Sequence, residues 1–366
     1  MDGARDPSCQ VRQLSFAYTE AEDDPVARMM PLTAPEFLPF KLDLLEQRVL
    51  WLRFTAAQRA QASFLDERAL PQAADGGWLP LGSLFTADQT PAVTAGAIFH
   101  IGHCGSTLLS RVLDVWPGMQ GLREPLPLRS LAEAWPLLAC PESRLSPSLA
   151  ARVLHALWGR WSLPLPPATR NIVKATSSCN GLIEPLMEHM PLLRTILLDM
   201  PLAPYLATLL KSQNSVIDAV SAAAERLRDL HARGFGEGVM LHALSVPEQC
   251  AMGWVAERLR FTALAGGDQG GRVLRVDFDT LLTQPEGTLQ RVAAHFSLDA
   301  GHVADAVASP AWGQYSKAPA HGYDRNDRLH DLALAGERHR DGISEGRAWV
   351  DLFLDRHPQL REYIDN

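Results

Sequence analysis

A chain of 366 residues with 46% hydrophobic and 21% charged side chains has ample material for a packed core. That excludes global disorder and predicts one large domain with an extension, or two domains. The formal charge of −8 argues against a general nucleic-acid coat or a binder of anionic membranes. A small anionic ligand stays admissible, because a local cluster of donors outweighs a diffuse, screened field.

The opening MDGARDPSCQ is polar, which predicts no secretory leader, and no uncharged apolar run reaches the roughly 18 residues of a membrane span. Five cysteines (Cys9, Cys104, Cys140, Cys179 and Cys250) are scattered without a C-x-x-C pair, so neither a disulfide framework nor a zinc site is expected. The twelve histidines form no H-x-x-x-H pair, and no metal is expected. These features together predict a cytoplasmic protein.

Residues 1–90 are expected to form an N-terminal extension packed on the core, with RFTAAQRAQASFLDERAL as a surface helix. The principal domain is expected over 91–366. Within it AIFHI (Ala97–Ile101) reads as a strand, GHCG (Gly102–Gly105) as a tight loop, and STLLSRVLDVW as a helix with Leu108, Leu109, Val112 and Trp116 on one face. NIVKATSS predicts a buried strand ending in a polar loop, GLIEPLMEHM a helix, LLRTILLDM a strand and APYLATLLKS the next helix. A helical insert is expected at about 216–260. RVLRVDFD then predicts a strand, followed by a helix with Pro285 near its start. GGDQGG (Gly266–Gly271) reads as a loop rather than a dinucleotide fingerprint. Arg325–Arg347, with arginines interleaved by acids, reads as a solvated helical surface, and WVDLFLDRHPQLREYI as a C-terminal amphipathic helix. Strands alternating with helices predict an α/β fold with a mostly parallel sheet.

The loop at Gly102–Thr107 carries the chemistry. A loop opening a helix presents unpaired N–H groups at the positive end of the helix dipole, which suits phosphate or sulfate. The glycines let the backbone approach a ligand, and Ser106 and Thr107 add hydroxyls. The plainer alternative is a turn in which Ser106 caps the helix. The loop has no G-x-x-x-x-G-K-[ST] lysine, which counts against an ordinary ATP- or GTP-hydrolysing enzyme.

FHIGHCGSTLLSRVLD resembles the 5′-phosphosulfate loop of the sulfotransferase superfamily, particularly the bacterial and tyrosylprotein type. LREP, VKATSS, RTILLDMPLAPYLATLLKS, RVDFDTLLTQPEGTLQRVAAHFSL and SKAPAHGY follow in the order of that family's later motifs, so the resemblance covers about residues 95–325. It implies a P-loop-like three-layer sandwich with helical insertions. It also implies transfer of a sulfuryl group from 3′-phosphoadenosine-5′-phosphosulfate (PAPS) to a hydroxyl or amine of a small-molecule, glycan or peptide acceptor. By the same resemblance Gly102, Cys104, Gly105, Ser106 and Thr107 cradle the donor's 5′ side. Lys174 and His103 assist the reacting groups, and Glu124 is the base. The alternative for Glu124 is a loop glutamate paired with Arg123, and for Cys104 a reactive thiol rather than a space-filler. Lys317 matches a lysine that holds donor phosphates.

Two positions depart from the family pattern. His103 stands where the loop has Arg or Lys, and Asp199 where an arginine holds the 3′-phosphate. The usual serine falls at Ala207, with Thr208 beside it. Losing two charge-assisted contacts removes ~3–6 kcal/mol of donor binding unless Arg194, Lys211, Arg111 or a charged His103 compensates. Two further readings follow: a non-catalytic binding protein of this fold, and an ATP-using phosphotransferase.

Overall fold

The computed structural model describes residues 32–70, 74–86, 93–315, 318 and 320–365. At the N-terminal side, β1 (Phe37–Asp43), β2 (Arg48–Arg53) and β3 (Gly76–Pro80) form an antiparallel meander. Leu38 faces Leu52 and Leu42 faces Val49 across β1 and β2, so the apolar side chains of both strands reach the common core. The surface helix expected here shrinks to Ala56–Gln61, opened by a capping box between Thr55 and Gln58. Arg59 on this helix is buried and donates to Pro35 O, and the chain leaves the helical conformation at Ala62. Arg160, on the helix Pro147–Ser162, locks the meander to the rest of the chain by donating to the carbonyls of Thr33, Ala34 and Phe37.

The second sheet holds β4 (Gly96–His100), β5 (Met119–Arg123), β6 (Arg170–Lys174), β7 (Thr195–Asp199) and β8 (Val273–Asp277) in the order β5-β6-β4-β7-β8. All four pairings are parallel, and helices flank the sheet. This is the α/β architecture expected, with every strand parallel. Strand β5 escapes a reading by hydrophobicity because MQGLR buries its polar members: Arg123 is fully buried and pairs with Asp114, whose other oxygen accepts from Gly121 N at 2.7 Å. From β4 the chain runs to β5 and β6 on one side and later to β7 and β8 on the other. That arrangement makes the C-terminal end of β4 a topological switch point, where open α/β sheets bind ligands.

The expected insert is three helices, Gln213–Ser221, Ala223–Ala232 and Val246–Gly266. Glu257, fully buried on the last of these, accepts from Arg226 at 3.1 Å and from Asn180 at 2.9 Å, and Asn180 also donates to His100 O at 2.9 Å. The insert is thereby tied to the end of β4. GGDQGG is a loop ending in a 3-10 turn, Gly270–Arg272, as expected. The C-terminal helices Arg325–Arg338 and Arg340–Arg356 pack on Leu202–Leu210, and a break at Pro358 separates them from Arg361–Asp365.

Candidate oxyanion site

The site begins where β4 ends. Gly102 (φ 102°), His103 (φ 53°) and Gly105 (φ 77°) all occupy the left-handed region, which curls the chain into the helix Ser106–Leu113. A side chain at Gly105 is excluded twice over, because its Cβ would stand 2.0 Å from Phe278 Cε2. The N-cap is Gly105, and no side chain caps the helix, so Ser106 is not a capping serine. Among the described residues the amides of Cys104, Gly105, Ser106 and Thr107 donate to no protein acceptor, and Ser106 and Thr107 bring hydroxyls beside them. Both side chains are nonetheless buried. Free donors packed at a helix start are the arrangement an oxyanion requires.

One loop residue departs from the cradle expected of it. Gly102 N donates to His100 Nδ1 at 3.0 Å while His100 Nε2 donates to Ala175 O at 3.0 Å, so the Gly102 amide is engaged within the chain. Cys104 is a space-filler: its buried thiol donates to Leu198 O at 3.3 Å, and burial first, then the Asp199 charge, push its pKa up to about 12. His103 leans on the insert, with Nδ1 3.5 Å from Ser215 Oγ and Nε2 3.9 Å from Asp218 Oδ2.

Beside the loop, β6 ends in Lys174, whose side chain is 1% exposed. In register between Ile98 of β4 and Arg123 of β5, it forms an ion pair with Glu124. Glu124 is 11% exposed and adopts φ 54°, with its backbone N donating to Lys174 O at 2.6 Å. Its other carboxylate oxygen stands 3.9 Å from Arg129. Glu124 thus pairs with Lys174 and not with Arg123, which turns toward Asp114. The Lys174 charge is close enough to the loop to act on the Cys104 thiol.

Asp199 ends β7 as a buried carboxylate clamped by Arg258 at 2.8 Å and Arg275 at 2.9 Å. It lines a cleft of about 740 Å³ with Arg258, Arg275, Arg291 and Arg347. Arg258 and Arg275 are cations that sequence reasoning missed, because they lie 59 and 76 positions from Asp199. Arg194 is not among them: it precedes β7, at the opposite end of the sheet from the loop, and donates to His295 O. Lys211 is engaged by Asp331 at 2.9 Å, and Arg111 donates to Ser63 at 2.7 Å. Thr208 turns its hydroxyl back onto Pro204 O at 2.7 Å, within its own helix. Lys317 lies outside the described residues. Among those described, no group of three or more acidic, His or Cys side chains could hold a metal ion, and no helix is long and apolar enough to cross a membrane.

No family model matches the sequence, and no curated protein sequence does. Among solved structures, the chain is similar to sulfotransferase STF1 of Mycobacterium tuberculosis, at 17% identity and TM-score 0.36 over 68% of this chain and 77% of that one. It is also similar to mouse sulfotransferase SULT7A1 complexed with PAP, at 12% identity and TM-score 0.33 over 74% and 92%. A third is the sulfotransferase domain of the curacin biosynthetic pathway, at 13% identity and TM-score 0.34 over 68% and 90%. Each of these neighbours is a sulfotransferase, the family that the loop sequence resembles.

Proposed function

We propose that the chain transfers a sulfuryl group from PAPS to a hydroxyl or amine. One observation carries this reading: the amides of Cys104–Thr107 donate to no protein acceptor among the described residues, and they follow β4 next to the strand that ends in the buried Lys174–Glu124 pair. PAPS supplies the sulfuryl group. The loop amides hold the oxyanion, with Ser106 and Thr107 adding neutral donors. Lys174 places a positive charge where the departing phosphate gains negative charge. Glu124, paired with Lys174, accepts the acceptor's proton as the acceptor oxygen or nitrogen bonds to sulfur. The cleft beyond Asp199 answers the missing 3′-phosphate arginine, because its four arginines outnumber the three acids Asp199, Asp277 and Asp351.

Binding without catalysis is favoured by a separate observation. Lys174, Glu124 and Arg129 form a closed charge cluster, which an acceptor must open before a proton moves. Calorimetric titration with adenosine-3′,5′-bisphosphate and ATP, followed by labelled-sulfate transfer with a cell extract as acceptor source, separates the readings. Micromolar binding of the bisphosphate with transfer that falls at least ~100-fold in Lys174→Met supports the enzyme. Binding without transfer supports the binding protein, and preference for ATP a phosphotransferase.

A further inference from the structure

An oxyanion held by main-chain amides alone keeps most of its charge uncompensated, and the loop Gly102–Thr107 contains no lysine or arginine. Its nearby cations have acidic partners: Lys174 has Glu124, and Arg258 and Arg275 share Asp199. Arg328 also has an acidic partner, Asp279 at 3.1 Å, but is placed differently. Although it belongs to the arginine-rich stretch that reads as solvated surface, its side chain is only 11% exposed. Its guanidinium lies 4.7 Å from the centre of the Phe278 ring, and an edge of that same ring packs on Gly105. A single aromatic side chain thus touches both the loop and the cation.

Arg328 Nη2 is buried and forms no hydrogen bond among the described residues. Asp279 stands 3.1 Å away as its ionic partner, but that carboxylate is 41% exposed. An ion pair with so exposed a partner contributes little. With its guanidinium over the Phe278 ring and a half-exposed carboxylate as partner, Arg328 can exchange that partner for an oxygen of a tetrahedral anion, a group that arginine recognises in phosphate and sulfate.

We propose that Arg328 is an anion-binding residue of the loop site, exchanging Asp279 for an oxygen of the bound phosphosulfate group. This rests on the sulfuryl-transfer reading and adds to it a cation from the C-terminal helix Arg325–Arg338. The C-terminal region then helps to bind the ligand as well as covering the core.

The test is calorimetric titration of adenosine-3′,5′-bisphosphate into the full chain and three variants, each checked by thermal melting. Arg328→Gln is expected to weaken binding about tenfold or more and to flatten its salt dependence. Arg328→Lys, which keeps the charge but loses the planar fork, is expected to fall between. Asp279→Asn keeps Arg328 in place and serves if Arg328→Gln does not fold; it is expected to bind at least as tightly as the native chain. Native affinity and native salt dependence in Arg328→Gln, or weaker binding in Asp279→Asn, would overturn the inference alone. Absence of binding in every form overturns the sulfuryl-transfer reading and this inference with it.

Discussion

At the residue scale the account depends on backbone conformation and on one buried ion pair. Gly105→Ala places a Cβ where φ is 77° and Phe278 leaves no room, so it is expected to cost ~1–3 kcal/mol of stability. The same change should abolish bisphosphate binding, and denaturant unfolding with calorimetry reads both effects. Removing one member of the Lys174–Glu124 pair strands the other charge in a buried setting. Glu124→Gln should therefore lose ~3 kcal/mol or more, while Glu124→Gln with Lys174→Met should recover most of it. A loss in the double variant equal to the sum of the losses in Glu124→Gln and Lys174→Met would show that the pair is not coupled. The loop glycines and the buried Lys174 were legible in the sequence, since a short strand–loop–helix pattern and an apolar strand ending in lysine are local signals. The Asp199 clamp and the burial of Arg328 were not, because both depend on side chains brought from distant elements.

At the element scale, two joints hold the site's framework. Arg160 fastens the meander through three carbonyls, so Arg160→Met should destabilise the chain by ~2–4 kcal/mol through carbonyls left without donors. A loss below about 1 kcal/mol in denaturant unfolding would contradict that role. At the N-terminal edge of β7, His295 donates to Thr195 O at 3.0 Å, and burial first, then Arg194, lower its pKa to about 4. The unfolded chain binds this proton at about pH 6.5 and the folded chain only near 4. Its contribution is thus complete above about pH 6.5 and is lost as pH falls toward 4. Unfolding free energies across that window should decline less steeply in His295→Gln than in the native chain, and parallel curves would refute the assignment. The meander was not read from sequence; the helical spacing of RFTAAQRAQASFLDERAL yields a helix only over Ala56–Gln61 and a 3-10 turn at Glu67–Ala69, in the connection between its second and third strands.

On the scale of the whole molecule, the parallel sheet follows from short apolar runs separated by helix-forming stretches, which is why its order of elements could be anticipated while β5, stabilised by buried polar contacts, could not. The sheet brings the ends of β4, β5 and β6 to one edge, and with them the loop, Glu124 and Lys174. The insert and the C-terminal helices close on the same region, through His103 with Asp218 and through Phe278 with Arg328. The central claim is that main-chain amides just after β4 grip an oxyanion. Amide hydrogen exchange resolved at residues 103–107, with and without saturating adenosine-3′,5′-bisphosphate, tests it most directly. The account predicts that Cys104, Gly105, Ser106 and Thr107 exchange markedly more slowly with the ligand, an effect lost in Gly105→Ala. Unchanged exchange at these four amides while the ligand is bound would contradict it.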